Sequence, residues 1–147
     1  MLLYLFALKL YGLALRLAAR FHPKAREWVR GRKGWKRELP QQMQGLERPV
    51  WMHCASLGEF EQGRPILEAL REEIPEAPVV LTFFSPSGYN LRKETTLAER
   101  VLYLPLDSPG SARFFMEQVN PRLALFVKYD FWFFFLRECH RRETPLI

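Results

Sequence analysis

The chain has 147 residues, room for one domain and little more. With 48% hydrophobic and 26% charged residues it is too apolar for a disordered tail. Its two cysteines, Cys54 and Cys139, are too few for a disulfide scaffold and point to a reducing, cytosolic compartment. The net charge of +6 is unevenly placed: residues 1–48 hold eleven Lys/Arg against Glu27, Glu38 and Glu47, and the remainder holds eleven against thirteen acids. A mildly acidic body with its positive excess at one end does not suit nucleic acid, whose binders spread a basic stripe across a folded face.

Residues 2–19 (LLYLFALKLYGLALRLAA) carry only Lys9 and Arg16 as charges. Spaced by seven, they share one side of a helix, and Arg20 falls close to that stripe. At about 1.5 Å per residue the segment would just span a bilayer, but the cationic stripe predicts a helix that lies in the interface or inserts shallowly. No positive region precedes it and no A-x-A site follows, so it does not read as a secretory signal. Eight basic residues then crowd into 20–37, among them Arg20, Lys24, Arg26, Arg30 and Arg32, against the single acid Glu27. Such a collar beside an apolar helix favours an anionic membrane surface on the cytoplasmic side. Residues 38–48 read as a polar connector. The alternative for the amino end is a buried core helix with a solvated basic tail.

From residue 49 the pattern alternates between strands and helices. Strands are expected at 50–56, 78–85 and 100–107, and 123–132 reads as a strand running into a loop. Helices are expected at 59–73, at 89–99, at 109–118 behind a cap at Asp107 or Ser108, and from the 132 loop to about 142. Pro65 is tolerable only in a first turn or as a kink. Thr144-Pro145-Leu146-Ile147 reads as the start of a further strand. The expected architecture is α/β, a Rossmann-like parallel sheet with helices on both faces, preceded by a membrane-associated helix. The expected organisation is an apolar anchor helix (1–20), a basic juxtamembrane segment and connector (21–48), and a Rossmann-like domain (49–147) that stops short at its carboxyl end.

In such sheets ligands bind beyond the carboxyl ends of the strands. Three small, polar turns fall there: Ala55-Ser56-Leu57-Gly58-Glu59, Ser85-Pro86-Ser87-Gly88-Tyr89 and Lys128-Tyr129-Asp130-Phe131-Trp132. Glu59, at a strand-to-helix turn, is either a general base for a sugar hydroxyl or an ordinary first-turn acid. The Ser85–Gly88 turn offers amides and hydroxyls to a phosphate or sugar, or is a plain connector. Lys128 and Asp130 form either a ligand clamp or a surface ion pair. His53, inside an apolar run, reads as a hydrogen-bonded core histidine. His22, His53, His140 and the cysteines lack metal-ligand spacing, and no nucleotide fingerprint occurs.

The runs "HCASLGEFEQGRPILEALR" (53–71), "VLTFFSPSGY" (80–89), "YLPLDSP" (103–109) and "LALFVKYDFW" (123–132) resemble, in order and spacing, the amino-terminal domain of the 3-deoxy-D-manno-octulosonic acid (Kdo) transferases of lipopolysaccharide synthesis. The leading apolar helix and "PKAREWVRGRKGW" (23–35) resemble that family's membrane anchor. The resemblance implies a GT-B glycosyltransferase, with two Rossmann-like domains facing a cleft. The amino domain would bind a lipid A precursor and a carboxyl domain would bind CMP-Kdo. Transfer would proceed with inversion to a glucosamine hydroxyl at the cytoplasmic face of the inner membrane, with no cofactor or metal. The family's general base falls on Glu59; Ser56, Gly58, Ser85, Ser87, Gly88, Lys128 and Asp130 fall among the acceptor-side turns. Asp130 stands where the family usually has Glu; one methylene less withdraws a carboxylate by about 1.5 Å, a misplacement that can cost on the order of a hundredfold in rate. The donor domain is not within these residues, so they are expected to be inactive alone. A membrane-tethered Rossmann-like binding module without transferase activity is the alternative.

Overall fold

Four short apolar runs become four parallel strands in the computed structural model, which describes residues 2–128 and 131–147. The strands are β1 (Val50–Cys54), β2 (Val79–Phe83), β3 (Arg100–Tyr103) and β4 (Leu123–Phe126). The helices are α1 (Leu2–Ala18), α2 (Pro23–Arg30), α3 (Trp35–Gln42), α4 (Leu57–Glu73), α5 (Pro86–Arg92), α6 (Pro109–Val119) and α7 (Phe133–Arg141). The sheet order is β3-β2-β1-β4, with Val50 in register with both Val79 and Leu123.

The two central strands, β1 and β2, are buried along their whole length, as expected of parallel strands covered on both faces. Alternate residues feed two cores. Trp51, Val80, Leu102 and Ala124 pack with α3, α6 and α7, whereas Met52, Leu81, Phe83 and Leu125 pack with Phe60 and Leu67 of α4. Trp51 anchors the first core, its ring 5.0 Å from that of Phe115 and 5.1 Å from that of Phe126, and its Nε1 donates to Thr82 Oγ1 at 2.9 Å. Leu146 bridges Ala124 in parallel fashion, so the run expected as a further strand does start beside β4.

Several boundaries differ from the sequence reading. The connector expected at 38–48 shrinks to residues 44–48: α3 runs to Gln42, and Leu39 and Met43 are buried in the first core. The i, i+4 spacing of Trp35, Leu39 and Met43 turns apolar residues inward while the charges between them stay outside. The basic segment before it is folded too, since α2 buries Ala25 and Trp28. Helix α4 begins at Leu57 and passes through Pro65, which lies on its exposed side. Helix α5 starts earlier than expected and ends at Arg92, because Ser85 caps it and Pro86 takes its first position. Strand β3 is shorter than expected, since beyond Tyr103 Pro105 has no N–H for a ladder, whereas β4 runs into a loop after Phe126 as expected.

Helix α1 lies along the domain. Tyr4 and Leu5 pack on the first core, and Gly12 is so close to Leu106 that an added Cβ would stand 2.9 Å from its Cδ1. The opposite side, with Leu2, Phe6, Leu10, Leu13 and Leu17, is exposed. Among the described residues no single helix is long and apolar enough to cross a membrane; α1 and α2 reach that length only as a pair bent by 119°.

Candidate functional site

The chain builds β1, β2 and β3 outward in one direction, then α6 carries it back to place β4 on the other side of β1. By this reversal β1 and β4 form the switch point of the sheet, and in α/β sheets the crevice beyond the carboxyl ends of the strands at such a point is where ligands bind. The turn after β1 and the turn after β4 flank it. They are held together by the Val127 amide, which donates to the His53 carbonyl at 3.1 Å.

The first turn is built by a reciprocal cap. Ser56 is the N-cap of α4 and its Oγ accepts from the Glu59 amide at 3.4 Å, while Glu59 Oε2 reaches back to accept from the Ala55 amide at 2.5 Å. This fixes the Glu59 carboxylate over the helix start, with Oε2 engaged and Oε1 without a hydrogen bond among the described residues, and leaves the residue half-buried. Gly58 beside it is exposed, and a Cβ there would meet nothing nearer than Ser56 Oγ at 4.0 Å. Packing therefore does not require glycine at 58; the bare backbone leaves the approach to Glu59 open.

The second turn touches the first. The Ser85 amide donates to the Ala55 carbonyl at 2.8 Å, and Ser85 Oγ and Ser87 Oγ lie 2.9 Å apart. Gly88 is buried, and a Cβ there would stand 2.4 Å from the Phe83 ring, so close packing alone accounts for a glycine at 88. In the turn after β4 Lys128 is exposed and adopts φ 69°, a left-handed conformation that costs a lysine about 1 kcal/mol. Asp130, expected to work with it, lies outside the described residues. Ser56, Gly58, Glu59, Ser85, Ser87, Gly88 and Lys128 thus gather at one edge of the sheet.

His53 lies beneath this edge, fully buried, with Nδ1 2.9 Å from Thr82 Oγ1 and its ring edge-on to Trp132. Burial, reinforced by the charge of Arg32, pushes its pKa down to about 3, so the imidazole is neutral; its Nε2 has no hydrogen-bond partner among the described residues. It is the core histidine expected.

The basic collar is divided by the fold. Arg32 leaves it: its guanidinium donates to the carbonyls of Leu104, Trp28 and Phe84 and stacks on the Trp28 ring at 4.0 Å. Burial lowers its pKa to about 9. Arg26 donates to the Ala19 and Arg20 carbonyls and so closes the carboxyl end of α1. Arg20 and Lys24 stay exposed at the α1–α2 corner. Lys9, Arg16 and Arg30 line one groove together.

Asp107 escaped the sequence reading, which offered it as a cap for α6. Ser108 takes that cap, and the buried Asp107 carboxylate instead accepts from the Phe134 and Phe135 amides at the start of α7 and from Tyr4 Oη at 2.6 Å. One side chain thereby joins α1, α7 and the β3–α6 loop. Nothing local marks this role, because its partners lie 27 and 103 positions away.

A family model described as 3-deoxy-D-manno-octulosonic-acid transferase (kdotransferase) matches residues 20–147. Among proteins named 3-deoxy-D-manno-octulosonic acid transferase, that of Haemophilus influenzae is 29% identical over 100 residues, 67% of this chain and 23% of the relative. That of Aquifex aeolicus is 33% identical over 99 residues, covering 66% and 27%. That of Chlamydophila psittaci is 31% identical over 134 residues, covering 88% and 30%. The chain spans about a quarter of the length of the curated relatives it matches.

Proposed function

The chain belongs to the 3-deoxy-D-manno-octulosonic-acid transferase family, and we propose that it is the acceptor-binding domain of a GT-B enzyme that transfers Kdo from CMP-Kdo to a lipid A precursor. The observation that carries this reading is Glu59, fixed by its cap in the turn after β1 at the switch point, beside the turn after β4 that carries Lys128. In the proposed reaction an acceptor glucosamine hydroxyl attacks the anomeric carbon of Kdo from the face opposite CMP. The new C–O bond forms as the bond to CMP breaks, CMP leaves with the bonding pair, and Oε1 of Glu59 takes the hydroxyl proton. Attack from the opposite face inverts the anomeric centre. Lys128 and the Ser85–Ser87 turn would hold anionic and hydroxyl groups of the acceptor; Ser56 and Gly58 shape the approach. CMP-Kdo falls in this reading to a domain beyond residue 147, so transfer by residues 1–147 alone is not expected.

The outward face of α1, with Leu3 80% and Phe6 59% exposed, supports placing the domain at the cytoplasmic face of the inner membrane, lying in the interface. The second reading, a membrane-tethered binding module, draws on the same cap: Glu59 Oε2 is already employed in holding α4. Two measurements separate them. The 147-residue chain should bind a lipid A precursor, and Glu59→Ala with Lys128→Ala should weaken that binding; no binding, or none lost, removes the acceptor role. In an enzyme completed with its donor domain, Glu59→Gln should lower transfer by about 10²- to 10⁴-fold while acceptor binding persists. Undiminished transfer would leave only the module.

A further inference from the structure

Between α1 and the α2–α3 segment runs a groove of about 600 Å³, within the ~300–1,000 Å³ range of small-ligand sites. Its walls are chiefly apolar, with Leu5 and Leu8 on one side, Val29 and Trp35 on the other and Leu106 among the lining. Its rim is cationic: Lys9 and Arg16 from α1 stand with Arg30 and Lys33 from α2 and the turn after it. None of these cations makes an ion pair among the described residues. The lining includes one acid, Asp107, and its oxygens are already committed to the α7 amides and Tyr4. The groove therefore presents apolar walls and uncompensated positive charge together, which suits neither a free sugar nor a neutral hydrocarbon.

We propose that this groove holds one molecule of an anionic phospholipid, an acyl chain against Leu5, Leu8 and Val29 and the phosphate between Lys9/Arg16 and Arg30/Lys33. Charge complementarity selects the headgroup, and the placing of the cations selects a lipid over a free anion. Lys9 and Arg16, seven residues apart, lie on the flank of α1 between its packed side (Tyr4, Leu8) and its exposed apolar stripe (Leu2, Phe6, Leu13). A chain rising along that flank from an apolar phase meets the phosphate-binding groups at the edge of that phase. The site is distinct from the Glu59 turn and requires no acceptor; it rests on the membrane placement proposed above.

The test is calorimetric titration of the 147-residue chain with dihexanoyl phosphatidylglycerol below its critical micelle concentration. One molecule should bind per chain, at least tenfold more tightly than dihexanoyl phosphatidylcholine. Lys9→Gln with Arg16→Gln, or Arg30→Gln with Lys33→Gln, should each weaken binding roughly tenfold, and Lys9→Arg with Arg16→Lys should restore it. Equal binding of the two lipids, or binding indifferent to these exposed substitutions, overturns the proposal. So does inorganic phosphate or glycerol phosphate binding as tightly as the lipid, which would leave an anion site only. Sedimentation with vesicles is measured separately. Tight binding of the short-chain lipid without vesicle association would remove the membrane placement and leave the groove; vesicle association without such binding would do the reverse.

Discussion

His53 shows at single-residue scale how the sheet interior dictates chemistry. An imidazole with a pKa near 6.5 in the unfolded chain is held at about 3 in the fold by burial, so it folds neutral. As pH falls, the unfolded chain takes the proton first. The stability of the neutral, buried form is therefore complete above about pH 6.5 and is lost as pH drops toward 3. Between pH 6.5 and 5 that loss amounts to about 2 kcal/mol. Urea unfolding of the wild type and His53→Gln at pH 7 and pH 5 should show this extra pH dependence in the wild type alone; equal dependence in both would assign it to other groups. His53 was legible from sequence as a core histidine because apolar neighbours on a strand announce burial. The edge-on Trp132 ring over it was not, since that contact joins residues far apart in the chain.

At the scale of elements, α7 begins with Trp132, which provides no side-chain cap, and Asp107 supplies one from another loop. Burial raises the pKa of this carboxyl, a cost offset by three hydrogen bonds that favour its ionised form, from Tyr4 and the Phe134 and Phe135 amides. Asp107→Ala strands two buried amides and should cost about 2–3 kcal/mol, measured by denaturant unfolding. Tyr4→Phe removes only the link to α1. It should cost about 1 kcal/mol and speed amide exchange over 2–18 while α7 stays protected. Exchange rising equally in both helices would show that α1 and α7 are not separately held. The α4 start is the opposite case, since the Ser56–Glu59 pair is a capping box readable three residues apart. The sequence reading found the turn after β1 but began the helix two residues late, and it misplaced Asp107 because the partners of that cap are distant in the chain.

For the whole molecule, the exposed leucines of α1 and the apolar Phe131, 80% exposed, call for something other than water. Phe131 borders an apolar cleft with Tyr4 and Leu8 on the packed side of α1. Vesicle sedimentation should fall at least roughly tenfold in Leu10→Glu with Leu13→Glu, on neutral and anionic vesicles alike. Lys9→Gln with Arg16→Gln should weaken binding to anionic vesicles only, and less so at high salt. Sedimentation unchanged by the leucine substitutions would remove the interfacial reading of α1.

What the sequence by itself determined is what short-range physics determines. Apolar runs with alternating helical periods gave the β-α order, the small polar run Ala55-Ser56-Leu57-Gly58-Glu59 after a strand gave the candidate catalytic turn, and charge counting gave the asymmetric amino end. The tertiary structure decided which side chains meet. It set the order β3-β2-β1-β4 and hence the switch point at which the turns of Glu59 and Lys128 meet. It drew Arg32 out of the basic collar into the carbonyls of Phe84 and Leu104, and folded residues 35–43 onto the core. It also turned Lys9 and Arg16 toward Arg30 and Lys33 across one groove. Periodicity fixes the face of a helix on which a residue lies, but not what that face will touch. That is settled only when elements distant in the chain compete to cover the same sheet.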